Sequence, residues 1–405
     1  MNRRIIIFVI YTFCFSHFSL SQSFIKLSGR AIDAESQEPL AFATVSIPGT
    51  SMGVVTNSVG EFEFSFPDGH KDDSLHFSMV GYEAKSWSIR EVLKSKKAKF
   101  SLKNRIILLD EVVVSTDELD AEEVLTRALQ NVKNNYPVKP FEFDVFYRDF
   151  KIENSKCVSI FESAATIYDR GYTKESREKV TLNHVRKSLS TQFKFRGFRI
   201  TNSMREMLYL NDVRHGARAL KWKKNNYTLS IEGYESLDDR LVYKIKAVND
   251  WKFYFYVDIE NYAIRKVELD YVWEDGVAEN TWTNGDTIRH QQRWAKEILE
   301  FQEIEGTLYP KYHNFHCYGK AFDTRSDSLL FDYELFTEYM VNEINRHPEV
   351  KPNKKSLMDS NEIIENQESH YDPEFWENYN AVKLNPRRRL LLEELEESNL
   401  LGKQL

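Results

Sequence analysis

Between residues 61 and 66 the chain alternates without a break, with Phe62, Phe64 and Phe66 on one side and Glu61, Glu63 and Ser65 on the other. Leu75, Phe77 and Met79 alternate with Ser74, His76 and Ser78, and Ala98, Phe100 and Leu102 with Lys99, Ser101 and Lys103. A period of two marks strands with one buried face. Turn residues separate these runs at Pro48-Gly49, at 57–60, at 67–69 and at Gly81. Residues 27–115 therefore predict a small β-sandwich, closed by a strand over residues 108–114.

A helix interrupts the strands. Asp120 with Glu123 fits an N-cap with its partner three residues on. Val124, Leu125, Ala128, Leu129 and Val132 share a face, and Pro137 and Pro140 end the element. Strands then return, longer than before. Phe141, Phe143, Val145 and Tyr147 alternate with Glu142, Asp144, Phe146 and Arg148; Trp251, Phe253, Phe255 and Val257 alternate with Lys252, Tyr254, Tyr256 and Asp258. Asn261 marks a tight turn before the next strand. The pattern continues through residues 294–344 and predicts a large antiparallel sheet, curved or partly closed. Between its early strands and Tyr227 lies a less regular stretch with a helix expected at 203–210.

Residues 345–370 are polar and read as a linker or a loop laid across the sheet. Residues 371–379 are aromatic and are expected to dock. Asn385 and Pro386 then open a C-terminal helix as N-cap and first residue. Its charges run against the helix dipole, with Arg387, Arg388 and Arg389 at the positive end and Glu393, Glu394, Glu396 and Glu397 towards the negative end. Packing by Leu391, Leu392, Leu395 and Leu400 would offset this; the alternative is a helix that orders on a partner.

Aromatics make up 14% of the 405 residues, which favours pleated, half-buried surfaces. The net charge of −7 supplies no basic footprint for nucleic acid. Arg3 and Arg4 precede an apolar run over residues 5–15, and small residues follow at 19–23, the order of a secretion signal. The run is too short for a membrane-spanning helix, and no later segment is apolar enough to span as one. The expectation is an exported protein, periplasmic or associated with the outer membrane. Cys157 and Cys317 remain in the mature chain, either paired in that oxidising compartment or buried as free thiols.

Several of these stretches resemble a known family. The runs 28–33, 39–45, 56–62 and 78–82, and 109–114 as a closing strand, are similar to the carboxypeptidase regulatory-like domain. The resemblance implies a transthyretin-like β-sandwich of the kind found N-terminal in TonB-dependent receptors, and it implies no peptidase activity. Asn135-Tyr136-Pro137, the run 146–149, the run 257–264 and the run 371–376 resemble the C-terminal part of uncharacterised envelope proteins that carry this domain. The central hairpin also looks like those of periplasmic lipoprotein-carrier half-barrels. The fold expected is mainly β. It divides into a signal peptide (1–22), the sandwich (25–116), a linking helix (117–136), an antiparallel β-domain or half-barrel (137–345), and a tail (346–405) of linker, aromatic docking segment and C-terminal helix.

Reactive chemistry is sparse. His313 and His316 form the one close histidine pair, but three residues apart in a strand they face opposite sides. There is no His-x-x-Glu pair, no Cys-x-x-Cys framework, no Gly-x-Ser-x-Gly elbow and no phosphate loop. Asp258 and Glu260 read as solvated turn charges. Trp251, Tyr254, Tyr256 and Tyr262 read either as sheet core with hydroxyls reaching water or as an exposed stacking surface. No catalytic residue, metal ligand or cofactor is assigned. The leading expectation is a non-enzymatic binding or assembly protein that carries a hydrophobic ligand such as a lipid, or contacts an outer-membrane or periplasmic protein. Phe143, Tyr147, Trp251, Phe253 and Phe255 would line its site. The alternative is an envelope hydrolase of glycan or peptide with an unrecognised carboxylate site.

Overall fold

The computed structural model describes residues 23–96, 98–105, 120–173, 179–189, 204, 207, 208, 213, 226–272, 280–284, 287–349, 351–359, 361–368 and 370–397. The expected signal segment at 1–22 and the expected closing strand at 108–114 lie outside them. The helix expected at 203–210 is described at Met204, Met207 and Leu208, which are helical and buried.

The first unit is built from β1 (Phe24–Asp33), β2 (Thr44–Ser46), β3 (Gly53–Val55), β4 (Glu61–Pro67), β5 (Ser74–Ser78), β6 (Lys85–Ser88), helix α1 (Ile89–Ser95) and β7 (Lys99–Leu102). They form two sheets, ordered β4-β1-β7 and β3-β2-β5-β6. The alternation places Phe62, Phe64 and Phe66 inward, all fully buried. Rings from both sheets interlock, with Phe62 and Phe77 edge-on at 5.5 Å and Phe77 stacked on Phe100 at 4.6 Å. Gly60 turns the chain into β4 at φ +73°, and a Cβ there would lie 2.5 Å from the Ala31 carbonyl oxygen.

Asp120 caps α2 (Ala121–Gln130) by accepting a hydrogen bond from the Glu123 N–H at 2.7 Å, and the short α3 (Val132–Asn135) follows. The second unit contains β8 (Phe141–Glu153), β9 (Lys156–Asp169), β10 (Lys179–Leu189), β11 (Thr228–Leu237), β12 (Arg240–Val248), β13 (Lys252–Asp258), β14 (Ile264–Val272), β15 (Asn280–Asn284), β16 (Ile288–Ile304), β17 (Thr307–Asp323) and β18 (Leu329–Asn345). They make one curved, open antiparallel sheet in the order β10-β9-β8-β18-β17-β16-β14-β13-β12-β11, with β15 paired to β16 off that path. β16, β17 and β18 have 17 residues each; at the usual rise a strand of that length runs about 56 Å.

The sheet is buried on two faces. Odd-numbered residues of β8 (Phe141, Phe143, Val145, Tyr147) join α2 and the described residues of the 204–213 stretch in one apolar cluster. This is called the helix face. Even-numbered residues point to the sandwich face, where Phe146, Ala164, Tyr312 and Met340 share a cluster with the sandwich core. Phe42 stacks on Tyr312 at 6.0 Å, Thr44 Oγ1 donates to Glu300 at 3.1 Å, and the Gly81 N–H donates to the Ser236 carbonyl at 2.8 Å.

The tail completes this side. Asn380 exchanges two amide hydrogen bonds with the Ser65 backbone, at 2.7 and 2.8 Å, and so satisfies part of the free edge of β4. α4 (Pro373–Asn378) and α5 (Pro386–Glu397) follow the docked pattern the sequence predicts, with Trp376, Leu391 and Leu395 buried.

β18 returns to pair with β8 across the longest sequence gap in the sheet, and a buried charge marks the junction. Arg148 donates to Glu162 on β9 at 2.5 Å and to Glu338 on β18 at 2.6 Å. Removing one partner of such a buried set leaves uncompensated charge and costs about 3–5 kcal/mol. Arg148→Ala is therefore expected to lower the stability of the β-domain by about that amount in urea denaturation followed by tryptophan fluorescence. A change under about 1 kcal/mol would show that the triad does not hold the junction.

Candidate functional site

Four of the five expected lining residues belong to one buried cluster. Phe143 and Tyr147 on β8 and Phe253 and Phe255 on β13 are buried in the helix-face cluster. Trp251 sits at its margin, half-buried, 6.1 Å from the Tyr271 ring. β8 and β13 are separated by four strands in the sheet order, so it is the shared face of the sheet that unites the five. Among the described residues that face is covered by α2, by Tyr136 and Tyr172, by Met204, Met207, Leu208 and Val213, and by Ile364 of the tail. No second sheet covers it among those residues.

Polar groups cross this apolar face. By strand register His313 on β17 lies opposite Tyr339, Tyr339 opposite Tyr147, and Tyr147 opposite Ser163. His313 Nε2 lies 2.5 Å from Glu297 Oε1 on β16, both residues buried. The Tyr147 hydroxyl donates to Asp149 at 3.4 Å. Lys151 pairs with Asp149 at 3.4 Å and with Glu365, while Lys187 donates to the Glu365 and Gln367 carbonyls at 2.9 Å each. Burial pulls the Lys151 ammonium down, and the Asp149 and Glu365 carboxylates outweigh it, leaving the pKa raised. These bonds fasten residues 364–367 over the end of the helix face, as the loop expected to lie across the sheet.

The sandwich face carries the denser charge layer. Burial alone would raise Glu162; the Arg148 and Arg186 guanidiniums reverse this and hold it below its ordinary value. Burial lifts Glu338 above its ordinary value despite Arg148 and Arg388. The reversed charges of α5 find their partners here. Arg387 grips Glu334 through two bonds at 2.8 and 2.9 Å, and the Arg388 guanidinium lies 3.4 Å over the Phe336 ring. Asn385 Oδ1 accepts from the Arg388 N–H at 2.9 Å, the expected N-cap.

One expectation needs correction. Asp258 is not a solvated turn charge. It is 1% exposed, accepts from the Glu260 and Asn261 N–H groups, and pairs with Arg265 at 2.8 Å. Local periodicity cannot reveal that, because Arg265 enters from the next strand. The aromatic stripe also divides: Trp251 and Tyr262 pack on the helix face, whereas Tyr254 and Tyr256 belong to a small cluster with Val80 of the sandwich unit. Cys157 and Cys317 are free and buried in different clusters, and burial pushes the Cys157 thiol up to about 12. His313 and His316 face opposite sides; His316 meets Glu334 at 2.9 Å. Among the described residues no group of three or more His, Cys, Asp or Glu side chains could hold a metal ion, and no helix is long and apolar enough to cross a membrane. A shallow opening of about 390 Å³ at the end of the sheet is lined by Lys139, Tyr168, Arg346 and Lys351 among others; Arg346 is held there by Glu305.

The architecture is thus a small sandwich fixed to one face of an open antiparallel sheet. Residues 27–114 match the family described as the CarboxypepD_reg-like domain, so the sandwich is a domain of that family. No curated protein matches the chain. Among solved structures it is similar to a LolA superfamily protein from Nitrosomonas europaea, with 12% identity over 60% of this chain and 99% of that one, at a TM-score of 0.21. A DUF1329 family protein from Desulfovibrio piger has 9% identity over 59% of this chain and 99% of that one, at 0.28. A putative outer membrane lipoprotein-sorting protein domain from Vibrio parahaemolyticus has 11% identity over 57% and 95%, at 0.26. Overlaps this loose carry no functional argument.

The Glu334 contacts give the tail a pH dependence. Burial would raise the Glu334 carboxyl, but His316 and Arg387 bring it from 4.5 down to about 2. A depressed carboxyl contributes stability that is present above the ordinary value and lost as pH falls through the folded one. Hydrogen exchange in residues 386–397 should therefore accelerate as pH falls from 4.5 towards 2, after correction for the intrinsic rate. Arg387→Ala should flatten that response. An unchanged pH profile in the variant would contradict the assignment.

Proposed function

We propose that this chain is a non-catalytic cell-envelope binding protein that takes an apolar, acyl-type ligand against the helix face of its large sheet, with the sandwich as a contact module on the opposite face. The observation that carries this reading is that Phe143 and Tyr147 on β8 and Phe253 and Phe255 on β13, with Trp251 at the margin, share one apolar face covered among the described residues by short elements. A mostly apolar surface with a few placed polar groups has the composition of small-molecule sites. α2 has 10 residues; at the helical rise that is about 15 Å. Ten strands at their usual spacing span about 43 Å. An element of that size can shift without unpairing a strand. The order of basic, apolar and small residues at the N-terminus supports export to the envelope.

The test is titration of the purified full chain with a dansylated fatty acid. Saturable binding is expected, weakened about tenfold by Trp251→Ala, equivalent to about 1.4 kcal/mol, with the circular dichroism spectrum kept. Absence of saturable binding, or equal binding by the variant, would overturn the proposal.

A further inference from the structure

Buried polar atoms in folded proteins nearly always have a hydrogen-bond partner, and an orphan is destabilising. On the helix face His313 and Ser163 are among the buried side chains that break this rule. His313 Nδ1 and Ser163 Oγ have no partner, although the residues are 1% and 0% exposed. They stand at the two ends of the row His313–Tyr339–Tyr147–Ser163, on four neighbouring strands. Three strand spacings separate the ends by about 14 Å, so one polar group cannot serve both. His313 is the better defined end. Its Nε2 is engaged by Glu297, Leu299 lies opposite it on β16, and the Tyr339 ring meets it edge-on at 5.5 Å.

Bonding to a carboxylate fixes which ring nitrogen carries hydrogen. Nε2–H donates to Glu297, so a neutral imidazole presents Nδ1 as a bare acceptor. What completes it is a group that donates. A hydroxyl or an amide N–H does so; an ester or ether oxygen does not. The cross-strand neighbours Leu299 and Tyr339 both belong to the buried apolar cluster.

We infer that His313, oriented by Glu297, is the head-group anchor of the helix-face site and selects an acyl amphiphile whose polar end carries an O–H or N–H donor. The assignment deepens the proposed function and rests on it. His313 acts through its acceptor nitrogen, while Glu297 is a positioning residue that holds the tautomer. The hydrocarbon chain then lies along the apolar remainder of the face, towards Phe253 and Phe255.

The test compares three probes of equal chain length, hexadecanol, methyl hexadecanoate and hexadecane, as competitors of the dansylated fatty acid on the full chain. Wild type should bind hexadecanol about tenfold more tightly than the other two, the gap of one good hydrogen bond. His313→Phe should close the gap while hexadecane affinity is kept. His313→Gln, which retains an acceptor, should restore part of it and covers the case where the Phe variant fails to fold. Displacement by all three probes with equal affinity in wild type would overturn this inference and leave the proposed function standing. Displacement by none would overturn both.

Discussion

A strand buried on both faces cannot leave a polar side chain to water, and β8 is such a strand. Its odd residues belong to the helix-face core, while Phe146, Arg148, Phe150 and Ile152 are buried on the other side. Arg148 must therefore find its charge partners inside the protein. It does so on the two strands that flank it, Glu162 to one side and Glu338 to the other. The Tyr312 hydroxyl reaches Glu338 at 2.9 Å, and Arg186 reaches Glu162. The layer is buried because the sandwich and the tail lie over this side of the sheet. Desolvated ion sets of this kind contribute less to net stability than to register, since a slipped strand would bury its charge unpaired.

This arrangement divides the work of the two faces. The sandwich face is committed to internal contacts: Thr44 to Glu300, Asn380 to Ser65, Arg387 to Glu334. Its hydrogen bonds are directed and specific, and they hold the sandwich and the C-terminal helix to the sheet. The helix face is different in kind. Its contacts are mostly apolar and non-directional, which resist displacement of a short covering element less sharply than paired charges do. A ligand is accommodated more readily on such a face.

Much of the fold was legible in the sequence because period-two alternation and turn chemistry are local. The strand 61–66, the Asp120 cap, the turn at Asn261 and the Asn385 cap all stand where residue spacing predicts them. What local pattern could not show was the second buried face. Arg148 read as the polar half of an alternating strand, and its partner Glu338 is 190 residues away. The same holds for α5, whose arginines oppose the helix dipole until Glu334 and Phe336 on β18 are seen beneath them. Asp258 looked like a solvated turn residue for the same reason. At the candidate site, alternation places Phe253 with Phe255 and Phe143 with Tyr147. It cannot bring β8 and β13 onto one face, nor set Glu297 beside His313.

The claim that matters most is that the helix face receives the ligand. Diffraction from crystals of the full chain grown with a brominated fatty acid locates the ligand by its anomalous signal. The account predicts bromine density in contact with Phe253 and Phe255 on the side of the sheet that carries α2. Bromine bound instead between the sandwich and the sheet, or on the outer surface of the sandwich, would contradict it.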